Sequence, residues 1–204
     1  MERTYDAGAD AALPDLRALP GVVRVDEVEH RDLDAVYLDT AAMTLAAAAV
    51  AVRRRTGGPD EGWHVKTSAP EGRHEYGWPL DVADLPDDLS EIQVPAGVRE
   101  AVSVWTADEP LSPLARVRNA RRAVALRDAA GEVLAEFTDD HVVATDLRAG
   151  RQTRWREWEL ELGPAAPDDP AWREEFFAAA DAVVFAAGGA PPSSGSKLQR
   201  ALGL

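Results

Sequence analysis

Cysteine is absent from this chain of 204 residues, which excludes both disulfide bonds and thiolate metal sites. No apolar run approaches the roughly 18 residues that a membrane-spanning helix needs. The longest alanine-rich stretch, residues 41–52, is followed at once by three arginines. The first ten residues, MERTYDAGAD, are polar and acidic, unlike a signal peptide. These absences predict a cytoplasmic protein with no membrane partner.

Positive charge is also scarce, with 22 Lys and Arg against 36 Asp and Glu and a formal net charge of −14. General binding to nucleic acid needs a basic surface, and an anionic membrane repels an acidic protein. The remaining composition is that of a globular protein, 46% apolar and 28% charged. The charge balance therefore argues against nucleic acid and against an anionic membrane surface as partners.

The segment WREWELEL, residues 155–162, alternates with a period of two. Glu157, Glu159 and Glu161 point to one side, whereas Trp158 and Leu160 point to the other. This alternation predicts a β-strand with one acidic and one apolar face. The acidic face could lie in water, as charged faces usually do, or inside a closed structure.

Similar patterns along the chain predict about eight strands, mostly at hairpin spacing, with helices inserted between them. Candidate strands lie near residues 2–6, 22–29, 31–39, 50–57, 62–68, 73–80, 115–126, 133–138, 141–147 and 155–162. Helices are predicted over residues 86–105 and from Pro170 to about Ala187, and a last small helix closes the chain. This order predicts an antiparallel sheet or a closed barrel.

Charge is segregated by strand. Bases dominate residues 53–55 and 116–122, whereas acids dominate residues 157–161 and share a face at Glu136 and Asp140. One explanation is a sheet with a solvated charged face. The other is a barrel whose lumen holds a polyanion and a divalent ion, because Arg and Lys bind phosphate oxygens and carboxylates hold Mg²⁺ or Mn²⁺. We interpret His64 and His74 as surface histidines rather than ligands.

Six segments in order resemble the CYTH domain, also called the triphosphate tunnel metalloenzyme family. They are YLDT with RRRTG, WHVKT with RHE, ARVRNARR, LAEFTDDHV, REWELEL and SGSKLQRAL. The resemblance runs nearly end to end and is strongest to actinobacterial members, which are often fused to a CHAD domain. It implies a single domain over residues 1–204, an α+β fold, and a closed antiparallel eight-stranded β-barrel with helices packed outside.

The resemblance also implies a site with charged side chains facing the lumen. The implied ligands of Mg²⁺ or Mn²⁺ are Glu2, Glu157, Glu159 and Glu161. The implied phosphate ligands are Arg53, Arg55, Lys66, Arg73, Arg116, Arg118 and Lys197. The implied catalytic residues are Glu2 and Asp140, with Asp139 as the alternative if a bulge shifts the strand.

The N-terminal segment departs from the family pattern of E-x-E-x-K. Glu2 takes the place of the second acid, Thr4 stands where the lysine is expected, and the first acid would precede Met1. The expected function is metal-dependent hydrolysis of a triphosphate, with inorganic triphosphate as substrate. The alternatives are a weakened module that binds triphosphate or polyphosphate, with a CHAD protein as a conceivable partner, and an enzyme similar to adenylate cyclase or thiamine triphosphatase.

Overall fold

The computed structural model describes residues 1–69, 72–80, 85–86 and 88–204, without the side chains of residues 68, 69, 72 and 73. The strands are β1 (Glu2–Ala7), β2 (Arg24–Val25), β3 (Glu29–Asp39), β4 (Val50–Thr56), β5 (Gly62–Ala69), β6 (Gly72–Trp78), β7 (Ser112–Arg127), β8 (Val133–Asp146), β9 (Arg151–Leu162) and β10 (Gly189–Ala190). The helices are α1 (Thr44–Ala47), α2 (Ala96–Thr106), α3 (Pro170–Ala186) and α4 (Lys197–Leu202). None of the described helices is long and apolar enough to span a membrane.

The chain divides into two compact units. Unit one comprises Met1–Arg31, Asn119–Val142 and Arg154–Gly195. Unit two comprises Asp32–Arg118, Val143–Thr153 and Ser196–Leu204. The interpretation of residues 1–204 as a single domain stays a prediction.

Unit one holds strands in the hydrogen-bonded order β10-β1-β9-β8-β7, with β2 beside β7. One face of this sheet is apolar: Phe137 and Trp158 are buried with ring centroids 6.0 Å apart. They belong to the same core as Phe176 and Phe177 of α3. Helix α3 is also fixed to β1, because Asp181 accepts a 2.8 Å hydrogen bond from the Tyr5 hydroxyl. Glu136 and Asp140 of β8 and the three glutamates of β9 therefore point away from α3.

Unit two holds strands in the order β7-β3-β4-β5-β6. Its core packs Val52 and Trp63 of the sheet with Val98 and Val102 of α2. The register pairs Arg53 with His64 and Lys66 with Glu75, so these four residues share the opposite face.

The α+β class and the antiparallel sheet are confirmed, because the ladders of β1, β3, β4 and β5 with their neighbours are antiparallel. The long predicted strands are present, but residues 133–138 and 141–147 form one strand, β8. Within the predicted strand at residues 22–29 only Arg24–Val25 forms a strand, β2, and the short strand β10 was not predicted. Among the described residues the strand order is open, ending at β10 and β6, so barrel closure stays a prediction.

Candidate functional site

Three carboxylates come together on the face of unit one that points away from α3. Oxygens of Asp140, Glu157 and Glu159 all lie within 4.8 Å of one another. Asp140 is fully buried, and Glu157 is only 4% exposed. Like charges at this distance repel strongly where water is excluded, so a nearby cation stabilises the ionised cluster.

Arg121 of β7 supplies one cation. Its Nε donates to Asp140 Oδ1 (2.8 Å), and its Nη2 donates to Asp140 Oδ2 (2.7 Å) and Glu159 Oε2 (2.6 Å). Burial lowers the pKa of the guanidinium, but its hydrogen bond with Asp140 and the surrounding acidic charge raise that pKa above its usual range. From the sequence, Arg121 is counted only among the bases of residues 116–122. Alternation backward from the core residues Val124 and Leu126 places it correctly on the acidic face.

The same face carries a second ion pair and an unsatisfied hydroxyl. Arg31 donates to Glu136, with an Nη2–Oε2 distance of 2.9 Å. Thr138, between Glu136 and Asp140 on β8, is 4% exposed, and its Oγ1 has no hydrogen-bond partner within the part of the chain that the structure describes. A buried hydroxyl of this kind is available to a ligand or an ordered water.

Strand β1 adds residues to the acidic face through its register with β9. Glu2 pairs with Glu161, and Thr4 pairs with Glu159. Burial and the negative charge of Glu2 raise the pKa of the Glu161 carboxyl. Thr4 thus stands beside the acidic cluster, at the position where the family resemblance implies a lysine.

Asp139 lies on the core face of unit one, away from Asp140. It is 1% exposed and accepts hydrogen bonds from Arg156 Nε (2.7 Å) and Trp158 Nε1 (3.0 Å). Arg156 Nη1 also donates to the backbone carbonyls of residues 8, 9 and 11. This network fixes β8, β9 and the loop after β1 together, whereas the cluster carboxylate is Asp140.

A cationic face lies in unit two. Glu75 accepts from His64 Nδ1 (2.8 Å) and from Lys66 Nζ (3.0 Å), and it lies 3.5 Å from Arg53 Nη2. Partial burial raises the pKa of Glu75, but hydrogen bonds from His64 and Lys66 and the positive charges nearby outweigh it and lower that pKa to about 2. Arg55, on the same face of β4, forms an ion pair with Asp60. His64 is buried, so its interpretation as a surface histidine is wrong.

Two other predicted phosphate ligands, Arg116 and Arg118, lie on a different face from Arg53. Arg116 pairs with Asp34, with an Nη2–Oδ2 distance of 2.6 Å. Asp34 shares a face of β3 with the core residue Val36, so Arg116 lies on the core face of unit two rather than with Arg53. Arg118 is exposed and, by alternation along β7, lies on the same face as Arg116.

Lys197 begins α4, where the hydroxyl of Ser196 accepts from the backbone N–H of Gln199 (3.2 Å) and caps the helix. The side chain of Arg73 lies outside the described residues. The acidic cluster belongs to unit one and the cationic face to unit two.

A sequence profile of the CYTH domain matches residues 8–185. The chain therefore belongs to the CYTH family, and the resemblance inferred from its sequence segments is confirmed. Two curated relatives, uncharacterised proteins from two strains of Mycobacterium tuberculosis, are each 36% identical to it over 214 residues. The alignment covers this whole chain but only 40% of each relative.

Solved structures share the fold at low sequence identity. A Bacillus halodurans protein described as a candidate adenylate cyclase matches with a TM-score of 0.57 and 18% identity, over 84% of this chain and 82% of that one. A candidate adenylyl cyclase from Hippeastrum, described as having a dominant triphosphatase activity, matches with a TM-score of 0.54 and 13% identity, over 99% and 94%. A Pyrococcus horikoshii protein gives a TM-score of 0.51 at 12% identity, over 100% and 96%. These comparisons support a CYTH-type fold.

Proposed function

We propose that this protein is a metal-dependent hydrolase of triphosphate-containing substrates, with inorganic triphosphate as its substrate. The observation that carries the proposal is the buried cluster of Asp140, Glu157 and Glu159, whose carboxylate oxygens lie within 4.8 Å of one another. Membership of the CYTH family supports it, as does the fold shared with a Hippeastrum protein described as a triphosphatase.

The donor set fits Mg²⁺ or Mn²⁺. Both ions take oxygen ligands, and the cluster offers carboxylates together with the unsatisfied hydroxyl of Thr138 nearby on β8. Asp140, Glu157 and Glu159 would hold the ion, with Glu2 and Glu161 further along the same face. A bound divalent ion supplies neutralisation of the phosphate oxygens on which charge develops.

The side chains of this protein supply the rest of the chemistry. Arg121 holds Asp140 and Glu159 close together, so that their carboxylates stay ordered in spite of their mutual repulsion. Arg53, Arg55 and Lys66 present permanent positive charge on one face, and we assign phosphate binding to them. Hydrolysis of a triphosphate depends mainly on such positioning and charge stabilisation.

The test is phosphate release from inorganic tripolyphosphate with Mg²⁺ or Mn²⁺, with binding measured calorimetrically on the same samples. Glu159→Gln keeps the shape of the side chain but removes an anionic ligand, so we expect at least about 10²-fold slower release. Glu175→Gln makes the same chemical change on an exposed position of α3 and serves as the control. Equal rates in Glu159→Gln and wild type would refute the proposed metal site.

A second candidate is a module that captures triphosphate or polyphosphate without turnover. The register of β1 with β9 favours this module, because it pairs Thr4 with Glu159. At the position of Thr4 the family resemblance implies a lysine that readies the attacking water. Threonine has neither the charge nor a suitable pKa for that role. Under the hydrolase proposal, Thr4→Lys should raise the rate about 10²–10⁴-fold with little change in affinity. Tight binding with no phosphate release by wild type or Thr4→Lys would select the module.

A further inference from the structure

His64 of β5 has a hydrogen-bond acceptor at each ring nitrogen. Its Nε2 lies 3.0 Å from the backbone carbonyl oxygen of Asp60, and its Nδ1 lies 2.8 Å from Glu75 Oε1. A carbonyl oxygen and an ionised carboxylate can only accept, so both ring nitrogens must donate. Only a doubly protonated ring satisfies both acceptors at once, and the His64 side chain is only 10% exposed.

Three donors converge on the single carboxylate of Glu75. Two are His64 Nδ1 and Lys66 Nζ, at 2.8 Å and 3.0 Å, and the third is Arg53 Nη2 at 3.5 Å. Arg53 and His64 have side chains 11% and 10% exposed, whereas the side chain of Glu75 is 43% exposed. Two of the three donors are thus fixed in the protein, whereas Lys66, 48% exposed, and the Glu75 carboxylate are on the accessible side.

Arg53 has capacity for a further acceptor. Its Nε is buried and has no hydrogen-bond partner among the residues that the structure describes. A phosphoryl group offers three oxygens, whereas the Glu75 carboxylate offers two, so a phosphoryl group can satisfy more of these donors.

We propose that His64 is a further phosphate-binding residue whose contribution depends on its protonation, and that Glu75 is an internal competitor displaced by the substrate. The proposal rests on the proposed function, because it assigns these donors to a phosphoryl group of the same substrate. His64 Nδ1, Lys66 and Arg53 pass from the carboxylate to phosphoryl oxygens, while the Asp60 carbonyl keeps its bond to His64 Nε2.

Loss of the second ring proton removes the positive charge of His64 and its contribution to phosphate binding. Histidine changes charge between about pH 5 and 8, whereas Arg and Lys do not. A neutral ring keeps one proton for two acceptors, so it loses one of its two hydrogen bonds together with the positive charge that attracts phosphate. Two kinds of charged group surround His64. Glu75 on β6 favours the imidazolium, whereas the positive charges of Arg53, Arg55 and Lys66 oppose it. Asp60 pairs with Arg55.

The experiment measures the affinity for inorganic tripolyphosphate at pH 6 and pH 8, in EDTA to prevent turnover. Protonation of the ligand itself affects every variant equally. We expect the ratio of affinities between pH 6 and pH 8 to be about tenfold larger in wild type than in His64→Gln, since a charge-assisted hydrogen bond is lost. His74→Gln, on the exposed opposite face of β6, should behave like wild type, and Glu75→Gln should bind more tightly at pH 6.

Two results distinguish failure of the inference about His64 from failure of the proposed function. If Arg53→Ala abolishes binding but His64→Gln keeps the wild-type pH ratio, the inference about His64 is overturned and the phosphate face stands. If wild type binds tripolyphosphate neither in EDTA nor with Mg²⁺, the proposed function fails with it. Nitrogen chemical shifts of the His64 ring in wild type provide a check without mutation. We expect a doubly protonated ring near pH 6 that responds to tripolyphosphate, and a neutral, unresponsive ring would overturn the inference.

Discussion

Arg121→Gln would remove the guanidinium that bridges two carboxylates of the acidic cluster. In wild type Arg121 reaches Asp140 at 2.7 Å and Glu159 at 2.6 Å. Glutamine retains polarity but loses the charge, so three acidic groups remain together without this cation. The change therefore tests whether the cluster needs a cation and whether a metal ion can supply it.

The expected magnitude follows from burial. The side chain of Arg121 is 16% exposed and that of Asp140 is fully buried, so water screens the pair weakly. Removing one partner of such a pair typically costs about 3–5 kcal/mol. For a protein of this size each kcal/mol lowers Tm by about 2–4 °C, so the variant should melt roughly 6–20 °C lower in EDTA.

A divalent metal ion should reverse much of this loss. Arg121 and the ion compete for oxygens of Asp140 and Glu159, so the variant should bind Mn²⁺ more tightly than wild type does. An ion present at 100 times its Kd adds about 2.7 kcal/mol. Melting curves in EDTA and across a Mn²⁺ series should therefore show a larger Tm increase for Arg121→Gln than for wild type.

The control is Arg122→Gln, one residue further along β7. The Arg122 side chain is 41% exposed and lies 3.5 Å from Asp139, which keeps its bonds to Arg156 and Trp158. We expect a loss of at most about 1 kcal/mol and no change in the Mn²⁺ response. Equal melting temperatures for the two variants in EDTA would refute the argument from burial. Absence of a Mn²⁺ response in Arg121→Gln would refute metal binding by this cluster.

Two further predictions concern Asp139 and Glu75. Asp139→Asn should lower the free energy of unfolding by about 3–5 kcal/mol, because it leaves Arg156 without its buried partner. The Tm increase with Mn²⁺ should nevertheless match that of wild type. Loss of the Mn²⁺ response would indicate that Asp139 belongs to the metal site. For Glu75, the lowered pKa means that its contribution to stability is fully present above about pH 4.5 and is lost as the pH falls toward about 2. With 43% of the side chain exposed, this contribution is at most about 1 kcal/mol, and urea unfolding of wild type and Glu75→Gln should converge at low pH.

Much of the fold could be predicted because alternation identifies a strand wherever one face is apolar. The prediction failed at residues 139–141, where polar side chains on both faces resemble a turn. Asp139 is polar because Arg156 and Trp158 bind it on the core face, and Asp140 is polar because Arg121 binds it on the other. Sequence alone does not show such partners, so one strand was divided into two.

The helix before β7 shows a second limit. Apolar spacing predicted it over residues 86–105, but α2 begins at Ala96, directly after Pro95. Proline has no backbone N–H and is therefore favoured at the start of a helix rather than within it. Residues 89–91 form a short 3-10 turn with its own cap from Asp88.

The acids of the candidate site were predictable and two of its most informative cations were not. Glu157 and Glu159 stand in one unbroken alternation, which fixes their face. Arg121 and Arg122 are adjacent, so their side chains point to opposite faces of the sheet. Only the positions of Val124 and Leu126 in the core show that Arg121 lies on the acidic face and Arg122 on the core face. For His64 the missing information was burial, which depends on Arg53 and Glu75 of neighbouring strands.

The alternation of WREWELEL also leaves open which of its two faces is enclosed, and the packing of unit one decides this. Helix α3 covers the face of Trp158, so that face is the core. An ordinary two-layer sheet would then leave the acids in water, yet Glu157 is 4% exposed and Asp140 is fully buried. Burial of acids is costly unless a cation offsets it, as Arg121 does for Asp140 and Glu159. A chain that keeps three such carboxylates within 4.8 Å gains little stability from them, which is why we assign them to a metal ion rather than to the fold.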